Sequence, residues 1–198
     1  MQNLHSDLLA LSEDEARCRA ILDGISSDAF EAWWFCSGDE GDLHLVQCRG
    51  MSNLSKSERI FLVWARGHLL LHELDVNVEK DAESYFIWAC EQCDLFREFE
   101  SFVKRDVKLH VCGSSDVEDR FLSFLQMVRF VAFSRMRSEW KTFLVHLDGQ
   151  VLPKDELSKI SMKLPNSGGL RLMDDWNDQC YSFETDEAFG YFRWLTSA

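Results

Sequence analysis

Between Phe121 and Phe133 only Ser123, Gln126 and Arg129 interrupt a run of Phe, Leu, Met, Val and Ala. Val117, Phe121, Phe124, Leu125, Val128, Val131 and Ala132 recur at intervals of three and four, which is the spacing of one face of an α-helix. Leu122, Met127, Phe130 and Phe133 fall off that face, so other elements should cover more than one flank. The stretch predicts a central buried helix over residues 115–136, and the rest of the chain must supply apolar surface around it.

A second long amphipathic helix is predicted over residues 81–104, where Ala82, Phe86, Ala89, Cys93, Phe96, Phe99 and Val103 share one side and most charges lie elsewhere. Residues 4–25 also read as a helix, broken or restarted near Ser12. There Ser12 stands three before Glu15 in a capping-box pattern, and Gly24 marks the end. Apolar runs at 32–36 and 43–48 flank Ser-Gly-Asp-Glu-Gly-Asp, the composition of a hairpin with an acidic tip.

Residues 57–78 satisfy two periods at once, and a helix from Ser57 to Arg66, stopped at Gly67 and followed by a strand, accommodates both. Val107, Leu109 and Val111 alternate as a strand does and lead into the central helix, with Ser115 a candidate cap three before Glu118. Asp148-Gly149 should turn a hairpin over residues 143–152. A short helix fits 153–163. Strands at 170–173 and 180–184 enclose the acidic turn Asp174-Asp175-Trp176-Asn177-Asp178, and Thr185 is placed to cap a last short helix containing Phe189, Phe192, Trp194 and Leu195. The linker-like 165–169 leaves only 29 residues after it, too few for a domain. The expectation is therefore an α+β fold in a single domain, 1–198, with short antiparallel strands and hairpins.

Charge narrows the partners. Against 34 acids stand 21 bases, a net charge of minus 13, which disfavours nucleic acid and anionic membrane surfaces and favours a basic protein. The start of the chain lacks a basic segment followed by an apolar one, and no run approaches the roughly 18 apolar residues of a membrane span. Seven cysteines, an odd number at irregular spacing, read as reduced thiols, mostly buried. Together these predict a cytoplasmic protein.

The chemistry-bearing patterns are few. Cys90 and Cys93 with His68 and His72 have the composition of a tetrahedral zinc set. However, Cys93 lies on the apolar side of its predicted helix, and His68 and His72 share a face only if they are helical, since on a strand residues four apart are about 13 Å apart. Ordinary thiols and histidines are the preferred reading, and no cofactor is expected. A Cys-x-x-Cys redox motif is usually activated at a helix N-terminus, whereas this pair follows about two turns of predicted helix. Phosphate-binding glycine loops, His-Glu-x-x-His, Gly-x-Ser-x-Gly and the zinc-deaminase signature are absent.

Aromatic residues beside acids remain. Trp33, Trp34, Trp176 and Trp194 lie near acidic loops, a combination suited to holding a positively charged partner. The candidate partner-binding residues are Asp174, Asp175, Trp176 and Asp178, with Asp39, Glu40 and Asp42 as a second edge. The expected function is an acidic binding protein that neutralises a basic protein partner, as an immunity protein or antitoxin inhibits a toxin. An enzyme with dispersed active-site residues and a scaffolding subunit of an oligomer are the alternatives.

Overall fold

The computed structural model describes residues 2–25, 29–36, 41–73, 94–134, 144–145, 151–152 and 168–196. They form an α+β fold built on an antiparallel sheet of eight strands in the order β3-β6-β7-β8-β2-β1-β4-β5. In chain order these are β1 (Phe30–Cys36), β2 (Asp42–Arg49), β3 (His110–Cys112), β4 (Leu144–Val145), β5 (Val151–Leu152), β6 (Gly169–Asp175), β7 (Asp178–Glu184) and β8 (Ala188–Leu195). The helices are α1 (Gln2–Ser12), α2 (Glu15–Asp23), α3 (Lys56–Glu73), α4 (Leu95–Arg105) and α5 (Ser114–Ser134).

The sheet is covered on both faces. On one, Val46, Cys48, Leu170, Leu172, Cys180, Phe189 and Tyr191 join Leu8, Cys18, Ile60, Phe61, Trp64, Phe99 and Val103 from α1–α4 in a single apolar cluster. On the other lies α5. Its Phe121 ring meets Phe192 edge-on at 5.2 Å and its Phe124 ring stacks on Trp194 at 5.0 Å. Val117, Phe121 and Phe124 are all buried, as their spacing predicts. Leu122, expected to be covered, is 38% exposed. Over residues 114–124 of α5 the buried side chains therefore lie on the face toward the sheet.

β8 replaces the short terminal helix predicted from Phe189 to Leu195. It lies between β7 and β2, in register with both along its length. Phe189 and Tyr191 point to the helical layer while Phe192 and Trp194 point to α5. A strand buried on both faces loses the apolar–polar alternation that identifies strands, so its run resembles a helix. Thr185 caps a turn instead, where its hydroxyl accepts the Ala188 N–H at 2.9 Å and its N–H donates to the Ala188 carbonyl at 2.8 Å.

Gly67 does not stop a helix. α3 continues through it to Glu73, so the predicted strand beyond Gly67 is absent as far as the chain is described. A Cβ at position 67 would lie 3.0 Å from the Tyr191 ring and 3.6 Å from Val46. Its glycine lets α3 approach the sheet closely. α3 begins at a capping box that the sequence reading missed: Ser55 N–H donates to Glu58 Oε2 at 2.8 Å, and Glu58 N–H to Ser55 Oγ at 3.3 Å.

The two predicted boxes are not used. Asp14, not Ser12, caps α2 by accepting the Arg17 N–H, and the Ser12 hydroxyl turns back to the Leu9 carbonyl. At α5, Asp116 reaches the Gly113 N–H at 3.1 Å and Val117 N–H donates to the Gly113 carbonyl, which makes Gly113 rather than Ser115 the cap position.

α4 has the predicted amphipathic side, with Phe96, Phe99, Phe102 and Val103 buried. It starts at Leu95 and not at Asp81, because Asp94 takes a left-handed φ of 49° that an α-helix cannot contain; residues 81–93 lie outside the described residues. The hairpin of β4 and β5 pairs Leu144 with Leu152 and Val145 with Val151. The expected Asp148-Gly149 turn lies outside the described residues. The helix expected at 153–163 also lies outside the described residues.

Candidate functional site

The acidic turn and Asp42, the one described residue of the second edge, lie at the same end of the sheet. Asp175 pairs with Asp178 across the β6–β7 turn, Asp178 with Leu195 of β8, and Leu195 with Asp42 of β2. This is one continuous row across four strands, so at about 4.8 Å per strand the outer backbones are roughly 14 Å apart. Asp39 and Glu40 lie outside the described residues. Gly41, just before β2, has a φ of 143°, and a Cβ there would lie 2.3 Å from the Leu195 carbonyl oxygen. Only glycine lets the chain enter the row so close to β8.

Trp176 and Asn177 form a two-residue turn at the tip of this row, and Trp176 is 77% exposed. Trp64 and Trp194, by contrast, are buried. The tip is anchored from behind: Thr196 N–H donates to the Asn177 carbonyl at 2.9 Å, tying the turn to the end of β8.

The three acids of the predicted turn differ in their environments. Asp178 receives Arg193 from β8 through two hydrogen bonds, one of 2.8 Å from Nε to Oδ1. Asp174 is paired with Arg171 at 2.8 Å. Asp175 is exposed, with no ion pair or hydrogen bond among the described residues. Asp106, the C-cap of α4, joins them from the helical side. Partial burial raises its pKa, and the charges of Asp178 and Asp175 raise it further. Behind this rim, His44 is fully buried beside Arg193, and burial first and the guanidinium second push its pKa down to about 3.

A groove of about 450 Å³ opens on the α5 face of the outer strands. Its floor is a cross-strand row of His110, Arg171 and Tyr181. Its wall is the polar stripe Asp116, Asp119, Arg120 and Ser123, next to the apolar stripe of the same helix. The stripe has helical spacing and is legible in the sequence, but the floor residues are dispersed over three strands and no local motif joins them.

Only part of the alternative metal set lies among the described residues, which contain no group of three potential ligands. His68 and His72 lie one turn apart on α3, where a strand had been expected, and the His68 ring stacks on Trp64 at 4.9 Å. Cys90 and Cys93 are outside the described residues. Cys18, Cys48, Cys112 and Cys180 are buried free thiols, as expected, and burial pushes Cys18, Cys48 and Cys180 up to about 12. Thiols so protonated are poor nucleophiles.

No helix among the described residues is long and apolar enough to cross a membrane. Comparison with protein-family models, with curated proteins and with solved structures found no match.

Proposed function

We propose that this chain is an acidic binding protein of the cytoplasm that neutralises a basic protein partner, as an immunity protein or antitoxin occludes an enzyme, using the acidic end of its sheet. The observation that supports this reading most is the exposed Trp176 at a hairpin tip held by Thr196, on the row that joins Asp175 and Asp178 to Asp42. A large ring presented on a pre-ordered turn loses little conformational entropy on binding and can anchor an interface centre. Surrounding acids steer a basic surface and pair at the rim.

The paired acids have a different part in this scheme. Asp178 and Asp174, engaged with Arg193 and Arg171, shape the hairpin, and Asp175 is the carboxylate left to meet a cation. The net charge of minus 13 supplies the long-range attraction.

The test is kinetic. A partner captured from the native host is purified and its binding measured by surface plasmon resonance at several salt concentrations. Trp176→Ala should raise Kd roughly thirtyfold, mostly through faster dissociation. Asp175→Lys should slow association and flatten its salt dependence. An acidic partner, or binding indifferent to both substitutions in folded protein, overturns the reading.

A further inference from the structure

We propose that the groove between α5 and strands β3, β6 and β7 is a binding site for a small zwitterion of the α-amino-acid class, with its carboxylate on Arg120 and Arg171 and its ammonium group on Asp119. The site is separate from the acidic end of the sheet, and its ligand chemistry follows from which of its charges are already paired.

Arg171 rises from the groove floor and spends one edge of its guanidinium on Asp174, Nη1 to Oδ2 at 2.8 Å. A guanidinium carries five N–H donors in a fixed fork, so others remain available. Arg120 comes from the α5 wall and has no ion pair or hydrogen bond among the described residues, although 34 acids are present in the chain. Both cations line the same groove beside Tyr181. Tyr181, its ring stacked on Phe192 at 4.8 Å, has its phenol pKa raised by burial and opposed by the charges of Arg120 and Arg171 together. The Tyr181 hydroxyl itself donates to Gln179 Oε1 at 3.4 Å, so it is the two guanidiniums that form the oxyanion receptor, since Arg pairs with carboxylates in bidentate geometry.

A simple anion is not the best complement. Asp119 lines the same groove and likewise has no ion pair or hydrogen bond among the described residues. It precedes Arg120 on the helix, and consecutive helical residues do not face each other, so the two charges stay apart and unneutralised. Asp116 is occupied by the Gly113 N–H at the helix start. Two cations and one free carboxylate in a polar groove of about 450 Å³ complement a molecule carrying both charges. A dianionic phosphate would meet Asp119 with like charge. The volume is within the range of small-molecule sites, roughly 300–1,000 Å³.

The experiment is a calorimetric and NMR titration of the full chain with each of the common L-amino acids, and with acetate, ethylamine and inorganic phosphate as single-charge or anionic controls. At least one amino acid should bind with Kd below about 1 mM and shift the amide resonances of 116–123, 171 and 181. The three controls should each bind at least tenfold more weakly. Arg120→Gln and Asp119→Asn, both at exposed positions, should each weaken that amino acid roughly tenfold or more while the melting temperature stays unchanged. The proposal is overturned if no amino acid binds below about 1 mM, if phosphate or acetate binds as well as the best amino acid, or if neither substitution changes affinity.

Discussion

Arg193 donates from Nε and Nη2 to the two oxygens of Asp178, which joins β8 to β7 beneath the tip that carries Trp176. Both side chains are mostly enclosed, 18% and 19% exposed, so neither charge can be left alone cheaply. Asp178→Ala should therefore destabilise the fold by about 3 kcal/mol, because it strands a largely buried guanidinium. The paired replacement Asp178→Leu with Arg193→Met should recover much of that loss. Urea unfolding of Asp178→Leu, Arg193→Met and the double variant checks the coupling, and additive losses would contradict it.

The pH dependence on the acid side follows from His44. Its pKa falls from 6.5 in the unfolded chain to about 3 in the fold. Between those values the unfolded state binds a proton that the native state refuses. The contribution is fully present above about pH 6.5 and is lost as pH falls toward 3, with a limiting slope of about 1.4 kcal/mol per pH unit. His44→Gln should flatten the stability profile over that window. The His44 ring resonances should also fail to titrate between about pH 5 and 8.

Asp106 contributes with the opposite sign. Its pKa is raised by burial and by the neighbouring Asp178 and Asp175, so its ionised form weakens the fold at neutral pH. Asp106→Asn should be stabilising at pH 7, and the gain should vanish as acid protonates the carboxyl. Chemical denaturation at pH 7 and pH 4 measures both arms.

Gly190 lies under the ring of Phe183, where a Cβ would come within 2.2 Å of the ring. Gly190→Ala should cost about 3 kcal/mol, at the upper end of what overpacking usually costs. Trimming the neighbour in Gly190→Ala/Phe183→Leu should be less harmful than the two changes summed. Thermal unfolding of the four-member cycle reads the interaction.

These packing relations explain which parts of the fold were legible in the sequence. α5 and the buried side of α4 were readable because Val117, Phe121 and Phe124, and Phe96, Phe99 and Val103, keep helical spacing against a single neighbouring layer. The β1–β2 hairpin was readable from two apolar runs around a glycine- and acid-rich turn. β8 was not, because Phe189 and Tyr191 serve one core and Phe192 and Trp194 the other, which erases the period of two. Gly67 misled for a related reason: its role depends on Tyr191, 124 positions away in the sequence.

The acidic turn was legible as a turn but is narrower than Asp174 to Asp178, since only Trp176 and Asn177 turn while Asp174 and Asp175 end β6 and Asp178 begins β7. Its union with Asp42 was not, because that depends on β8 passing between β7 and β2. Nor could composition show that Asp178 and Asp174 are engaged by Arg193 and Arg171. Long-range register decides both.

The central claim is that the end of the sheet carrying Trp176 meets a basic protein, and photocrosslinking in the native host tests it most directly. A benzoylphenylalanine at position 176 is irradiated in living cells, with the same residue at Glu118, on the exposed side of α5, as the control. The account predicts one discrete adduct from position 176, with a partner of strongly basic composition, that is lost when Asp175→Lys is added. Absence of an adduct above the Glu118 control, or an adduct to an acidic protein, would contradict it.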